Sequence, residues 1–195
     1  MKIVFQMLFF TCALIACNPR NETDARIEKA QSDSIAKIKQ DSANDAACAT
    51  LLKDPGFEMD TATQILASEP KNLWETLRAL NSFFNPKQKE WIACVSEKGF
   101  RNQMLDNNFA MYLRNYWGLW GDYKNNPLVR DFYRMGVWHP DDMSVIILIS
   151  YHRLYNNRNI RLKEQIEELH IWYRETYRMP VDSLVYRIQR LAQDS

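Results

Sequence analysis

The sequence predicts an all-α protein, a compact bundle of roughly six to eight helices around one core. Three observations carry this reading. Apolar residues recur at three- and four-residue spacings along most of the chain, the signature of one-sided helices. Period-2 alternation, Asn-Gly hairpin signals and internal repeats are missing. Only 5 Gly and 7 Pro in 195 residues leave few turns for a β-sandwich. Hydrophobic residues make up 46% and aromatics 12% of the chain, enough to bury a core and to exclude wholesale disorder. With 25 basic against 24 acidic side chains the net charge is +1, which gives no electrostatic case for nucleic acid as a partner.

The first element is an address. Met1-Lys2 precedes a mainly apolar run from Ile3 to Leu14, interrupted by Gln6 and Thr11. That run is too short to cross a hydrocarbon core of ~30 Å, so residues 1–16 read as a secretory signal peptide. It ends in Leu14-Ile15-Ala16-Cys17, which resembles a bacterial lipoprotein signal box. There the Cys17 thiolate would take a diacylglyceryl group, and small Ala16 would admit the signal peptidase. Acylated Cys17, carrying palmitate-type chains, would anchor the protein to a membrane of the bacterial cell envelope. The outer membrane or a periplasmic face fits better than the cytoplasm. An ordinary signal peptide with an incidental Cys17 is the alternative. Residues 17–45 then form the lipidated N-terminus and a flexible or transiently helical tether. This stretch has no aromatic residue, and Ile27, Ile35 and Ile38 make only a thin stripe; a partner-binding helix is the other reading.

Residues 46–195 are expected to form a single helical domain. Leu73, Trp74, Leu77, Leu80 and Phe84 mark one apolar helix face. Asn85-Pro86 supplies an N-cap and a first-turn proline for a helix carrying Trp91, Ile92 and Val95, with Gly99 as its stop. Phe109, Tyr112, Leu113, Tyr116, Trp117 and Trp120 form an unusually aromatic stripe. Asn126-Pro127 opens a short helix that ends at Gly136. His139-Pro140 opens the next, whose Val145 to Ile149 run is apolar on all sides and predicts a central buried helix. Leu162, Ile166, Leu169, Tyr173 and Tyr177 define a long amphipathic helix, and residues 181–193 a last one.

Cysteine usage agrees with export. Cys12 leaves with the signal, so Cys48 and Cys94 are the thiols available for a disulfide in an oxidising compartment, worth about 3–4 kcal/mol in the chain-entropy model. Two buried free cysteines are the alternative. No CxxC pair, HExxH, Walker loop or GxSxG occurs, and only His139, His152 and His170 are present, so neither a metal site nor a cofactor is predicted. No catalytic residue is assigned.

Two polar clusters remain. In Arg114-Asn115-Tyr116-Trp117-Gly118-Leu119-Trp120, the arginine could clamp a carboxylate or phosphate, or stack on a tryptophan and pair with an acid. In His139-Pro140-Asp141-Asp142-Met143-Ser144, a histidine beside two carboxylates invites acid–base chemistry. Yet proline and aspartate in a first helical turn are explained by capping and the helix dipole. Adjacent aspartates also point about 100° apart and do not converge on one ligand. A bridge from Arg114 to Asp141 or Asp142 would join the clusters into one polar lock.

These two motifs, with Ile146-Ile147-Leu148, Arg153 and the Leu162 to Ile166 segment, resemble a bacterial domain-of-unknown-function family, number 6794, over residues 70–173. The resemblance implies a small helical domain, sometimes behind a secretion signal, and brings no activity or catalytic residue with it. The expected function is therefore a lipid-anchored envelope protein whose non-catalytic helical domain binds a protein partner, in the manner of an immunity protein. Arg114, Asn115, Trp117, Trp120, His139, Asp141, Asp142 and Ser144 are the candidate structural or binding residues. The alternative is an envelope hydrolase using Asp141, Asp142 and His139, with Arg114 as anion clamp.

Overall fold

The computed structural model describes residues 19–52 and 68–193. Among them are nine helices and no strand. They are α1 (Pro19–Leu52), α2 (Leu73–Phe83), α3 (Pro86–Cys94), α4 (Glu97–Asp106), α5 (Phe109–Tyr116), α6 (Pro127–Arg134), α7 (Pro140–Tyr155), α8 (Leu162–Tyr177) and α9 (Val181–Gln193). The signal peptide and Cys17 lie outside the described residues. The chain divides into two compact units, Met1–Gln40 and Asp41–Ser195.

In the first unit, the described part is the opening of α1. Its sequence is polar and free of aromatic residues, and Ile35 is exposed. The end of α1 belongs to the second unit. The boundary expected after Asp45 thus falls inside a helix, and Asp45 is already part of the folded domain. Its carboxylate accepts from the Ser96 backbone N–H (2.6 Å) and the Ser96 hydroxyl (2.7 Å).

Local chemistry sets most helix starts in the second unit. Asn85 and Gln88 form a reciprocal capping box ahead of Pro86. Asn126 accepts from the Leu128 and Val129 N–H groups ahead of Pro127. His139 caps α7 through Nδ1 ahead of Pro140. Gly99 departs from its expected role as a helix stop. It is the third residue of α4, whose cap is Ser96, and a Cβ there would meet the Asp45 carboxylate and Val95 Cγ2 at 2.8 Å. Glycine is needed because another helix passes against it.

Helix α7 is the axis of the domain, packing against α2, α3, α4, α5 and α8. Met143, Ile146, Ile147, Leu148 and Tyr151 are buried on several of its sides, as the all-round apolar run predicts. Phe84, Phe109 and Tyr151 stack through ring centroids 5.1–5.6 Å apart and fill the centre. His152 is buried in this core as well. Its Nε2 meets the Val95 carbonyl at 3.0 Å and its ring lies against Phe100. Helix α9 docks mainly on α6, burying Val181, Ile188 and Ala192.

Candidate functional site

The first motif straddles the end of α5. Its expected stripe is interrupted after Tyr116, because Gly118 takes a left-handed conformation (φ +60°) that glycine tolerates without strain. The chain turns back, with the Leu119 N–H donating to the Arg114 carbonyl at 2.8 Å. The Asn126 side-chain amide donates to the carbonyls of Trp117 (2.8 Å) and Gly118 (3.0 Å). Asn126 thus caps α6 and pins the motif's turn at once. Only the cap is legible in sequence, since the second role depends on a contact nine residues back. The turn divides the aromatic stripe: Trp117 and Leu119 are buried, whereas Tyr116 and Trp120, 60% exposed, face solvent with Asn115.

Arg114 points toward the N-terminus of α7. Its Nη1 lies 3.0 Å from Asp141 Oδ1 and donates to Ser144 Oγ at 3.2 Å, and that hydroxyl donates to the Asp141 carbonyl at 2.7 Å. The arginine is largely buried while Asp141 is half-exposed, so the lock is open to solvent on its acidic side. The Arg114 Nε and the Trp117 indole nitrogen are buried without hydrogen-bond partners. His139 Nδ1 accepts the Asp141 N–H (3.3 Å) as the α7 cap and lies 3.6 Å from Asp141 Oδ2. A nitrogen that accepts the cap bond carries no proton, so the second contact is proximity and not an ion pair. The exposed face of Trp120 meets the His139 ring edge-on at 6.2 Å.

Asp142 turns to the other side of α7, as adjacent positions on a helix must. There the Tyr173 hydroxyl of α8 donates to its Oδ2 at 2.8 Å. Burial pushes the Asp142 carboxyl above its ordinary range, partly opposed by the Tyr173 hydrogen bond. The Tyr173 hydroxyl is held above the ordinary tyrosine range by burial and by this carboxylate. Asp142 also borders a cavity of about 400 Å³ with Glu97, Arg101, Arg153 and Trp172. The two motifs therefore meet through Arg114, Asp141 and Ser144. Asp142 stands apart from them on Tyr173, and Asn115 joins neither.

Two further constraints surround the site. Arg153 grips Glu97 with a bidentate fork, Nε to Oε2 at 2.7 Å and Nη2 to Oε1 at 2.8 Å, while Nη1 donates to the Ile160 carbonyl at 2.9 Å. Burial works to raise the Glu97 carboxyl, but the Arg153 hydrogen bonds and charge outweigh it and hold the group below its usual value. Cys48 and Cys94 are joined as a disulfide, with Cα atoms 5.9 Å apart, tying the end of α1 to the end of α3. Among the described residues no group of histidine, cysteine and carboxylate side chains could hold a metal ion, and no helix is long and apolar enough to cross a membrane.

Residues 69–154, which contain both motifs, match the model of the family described as a domain of unknown function, DUF6794. This stretch of the chain is similar to the DUF6794 family. It begins just before the Asn72 cap of α2 and ends one residue before the end of α7, so it holds α2 to α7 and the whole Arg114–Asp141–Ser144 lock. Helices α8 and α9 follow it, and the Tyr173 partner of Asp142 comes from outside the matched DUF6794 stretch, short of the 173 expected from sequence. No curated protein and no solved structure matches the chain.

Proposed function

We propose that this is a lipid-anchored cell-envelope protein whose DUF6794-like helical domain works by binding a protein partner, as an immunity protein would. The observation that carries the binding half is how the motif polar groups are used. Arg114 is spent on Asp141 and Ser144, His139 on a helix cap and Asp142 on Tyr173, while the aromatic residues beside them, Tyr116 and Trp120, are exposed. Exposed tryptophan and tyrosine braced by a rigid polar lock have the chemistry of an interface anchor. The hydrolase alternative draws less support, because it needs Asp141, Asp142 and His139 to address one ligand and the two carboxylates serve partners on different sides of α7.

The anchoring half rests on the Leu14-Ile15-Ala16-Cys17 sequence and is tested separately. Cys17→Ser should abolish incorporation of labelled palmitate; persistent labelling would refute the anchor. For binding, crosslinking in the native envelope should join a partner to the wild-type chain and lose it with Trp120→Ala. The same variant should leave the melting temperature within about 1 °C, since surface side chains away from special features contribute little to stability. A crosslinked partner retained at full yield by Trp120→Ala would place the interface elsewhere.

A further inference from the structure

A cavity of about 550 Å³ opens between α2 and α7, and none of the residues of the two motifs lines it. Helix α2 presents Trp74, Leu77, Arg78 and Asn81 to it, at the i, i+3, i+4, i+7 spacing of a single helix face. Helix α7 presents Tyr151, Leu154 and Tyr155. The sequence reading places Trp74 in the apolar face of α2. Its neighbours Leu73, Leu77 and Leu80 are indeed buried, but Trp74 itself is 54% exposed at the mouth of the cavity, and Leu154 opposite it is exposed as well. Large apolar side chains on both lips of one concavity are what a ligand, and not the core, would cover.

The polar groups of the cavity are few: the Ser82 hydroxyl donates to the Arg78 carbonyl at 3.2 Å, and the Glu75 carboxyl nearby is held below its ordinary value by the Lys71 N–H and also by the Arg78 charge. Arg78 is exposed and makes no ion pair among the described residues. The acid nearest to it in sequence, Glu75, already accepts the Lys71 N–H (2.8 Å) and the Asn72 side-chain amide (3.0 Å). Tyr151 is 2% exposed, yet its hydroxyl has no hydrogen-bond partner, an uncommon state for a buried donor. Burial holds that hydroxyl above the ordinary tyrosine range, so it stays protonated and able to donate.

The geometry points to a binding site for a monocarboxylate with an apolar body. The apolar body lies between Trp74, Leu77, Leu154 and Tyr155, and the carboxylate is taken by the Arg78 guanidinium with the Asn81 amide beside it. A single guanidinium suits one carboxylate, whose two oxygens match its fork, and the apolar walls exclude a small hydrated anion. The volume falls within the ~300–1,000 Å³ of small-ligand sites. This inference stands independently of the protein-binding reading, since it uses other residues and a different class of ligand.

The test uses the mature chain, residues 17–195, carrying Cys17→Ser, so that neither the apolar signal run nor an acyl chain is present; it is titrated with decanoate below its micellar concentration and followed by calorimetry. Decanol and decyltrimethylammonium, matched in chain length, serve as neutral and cationic comparisons. Saturable binding of one decanoate per chain is expected, at least about fivefold tighter than decanol, because a charge-assisted hydrogen bond is lost in the alcohol. Arg78→Gln should erase the preference for decanoate over decanol while leaving decanol binding unchanged. Trp74→Ala should weaken both ligands at least about fivefold. Both substituted residues are exposed, so unchanged melting temperatures verify the fold. Absence of saturable binding overturns the proposal, as does equal affinity for decanol or an affinity for decanoate that Arg78→Gln leaves unchanged.

Discussion

Joining Cys48 to Cys94 removes the freedom of a loop with a sequence separation of 46 from the unfolded chain. In the chain-entropy model such a loop corresponds to about 13.5 cal/mol/K, or about 4 kcal/mol at 25 °C. That is a large share of the ~5–15 kcal/mol that typically holds a domain together. For a domain of this size each kcal/mol moves the melting temperature by about 2–4 °C, so reduction should lower it by about 8–16 °C. The comparison is best made on one chain, oxidised and reduced, by circular dichroism during heating, because both sulfur atoms then stay in the core. A Cys48→Ala/Cys94→Ala variant provides the control: it should melt near the reduced wild type and ignore the reductant. A wild-type melting temperature that moves by less than about 2 °C on full reduction would refute the reasoning. It would mean that the Asp45–Ser96 hydrogen bonds and the packing of Cys48 already hold the end of α1 in place.

Arg153→Met should cost about 1–3 kcal/mol at neutral pH, because it strands a half-buried Glu97 and leaves the Ile160 carbonyl with the Gln165 amide alone of its two side-chain donors, and chemical denaturation would read this directly. The Glu97 carboxyl is held below its ordinary value, so its contribution is present above about pH 4.5 and is lost as pH falls through the lower folded-state value; the acid limb of the wild-type stability curve should flatten in Arg153→Met. Asp142 has the opposite sign: its carboxyl is raised, the folded state takes up the proton first, and stability is gained as pH falls through that raised value toward 3.8. Tyr173→Phe should therefore destabilise by about 1 kcal/mol at pH 7 and by less as pH falls through the raised Asp142 value; a pH-independent penalty would argue against the Asp142 bond. Arg114→Met should cost about 1 kcal/mol, since the lost bonds are partly offset by removal of its unpaired Nε, and Asp141→Asn less, because that carboxylate is half-exposed.

The helical fold was legible because its signals are local. Asn85-Pro86, Asn126-Pro127 and His139-Pro140 mark helix starts through contacts that span four residues or fewer, and the Val145 to Ile149 run marks the central helix by having no polar side. Two local signals misled. Gly99 resembles a stop but lies inside α4, where the close approach of Asp45, 54 residues earlier, demands a residue without a side chain. Trp74 fits the period of its apolar face but stands at the edge of it, and periodicity does not say how far a neighbouring helix extends over that edge. The motif residues were conspicuous in sequence, whereas Asn126 as the clamp on Trp117 and Tyr173 as the partner of Asp142 carried no signal of their own.

Helix content, helix starts, the identity of the central helix and the two motifs are thus properties of short stretches of this chain, set by capping, side-chain period and burial within one or two turns. Which aspartate Arg114 meets, which tryptophans reach solvent, and how Cys48 comes within 5.9 Å of Cys94 were decided only when helices far apart in sequence crossed. A one-residue change of position on a helix rotates a side chain by about 100°, so Asp141 and Asp142, neighbours in the chain, were sent to different partners by the packing of α5 and α8 on opposite sides of α7.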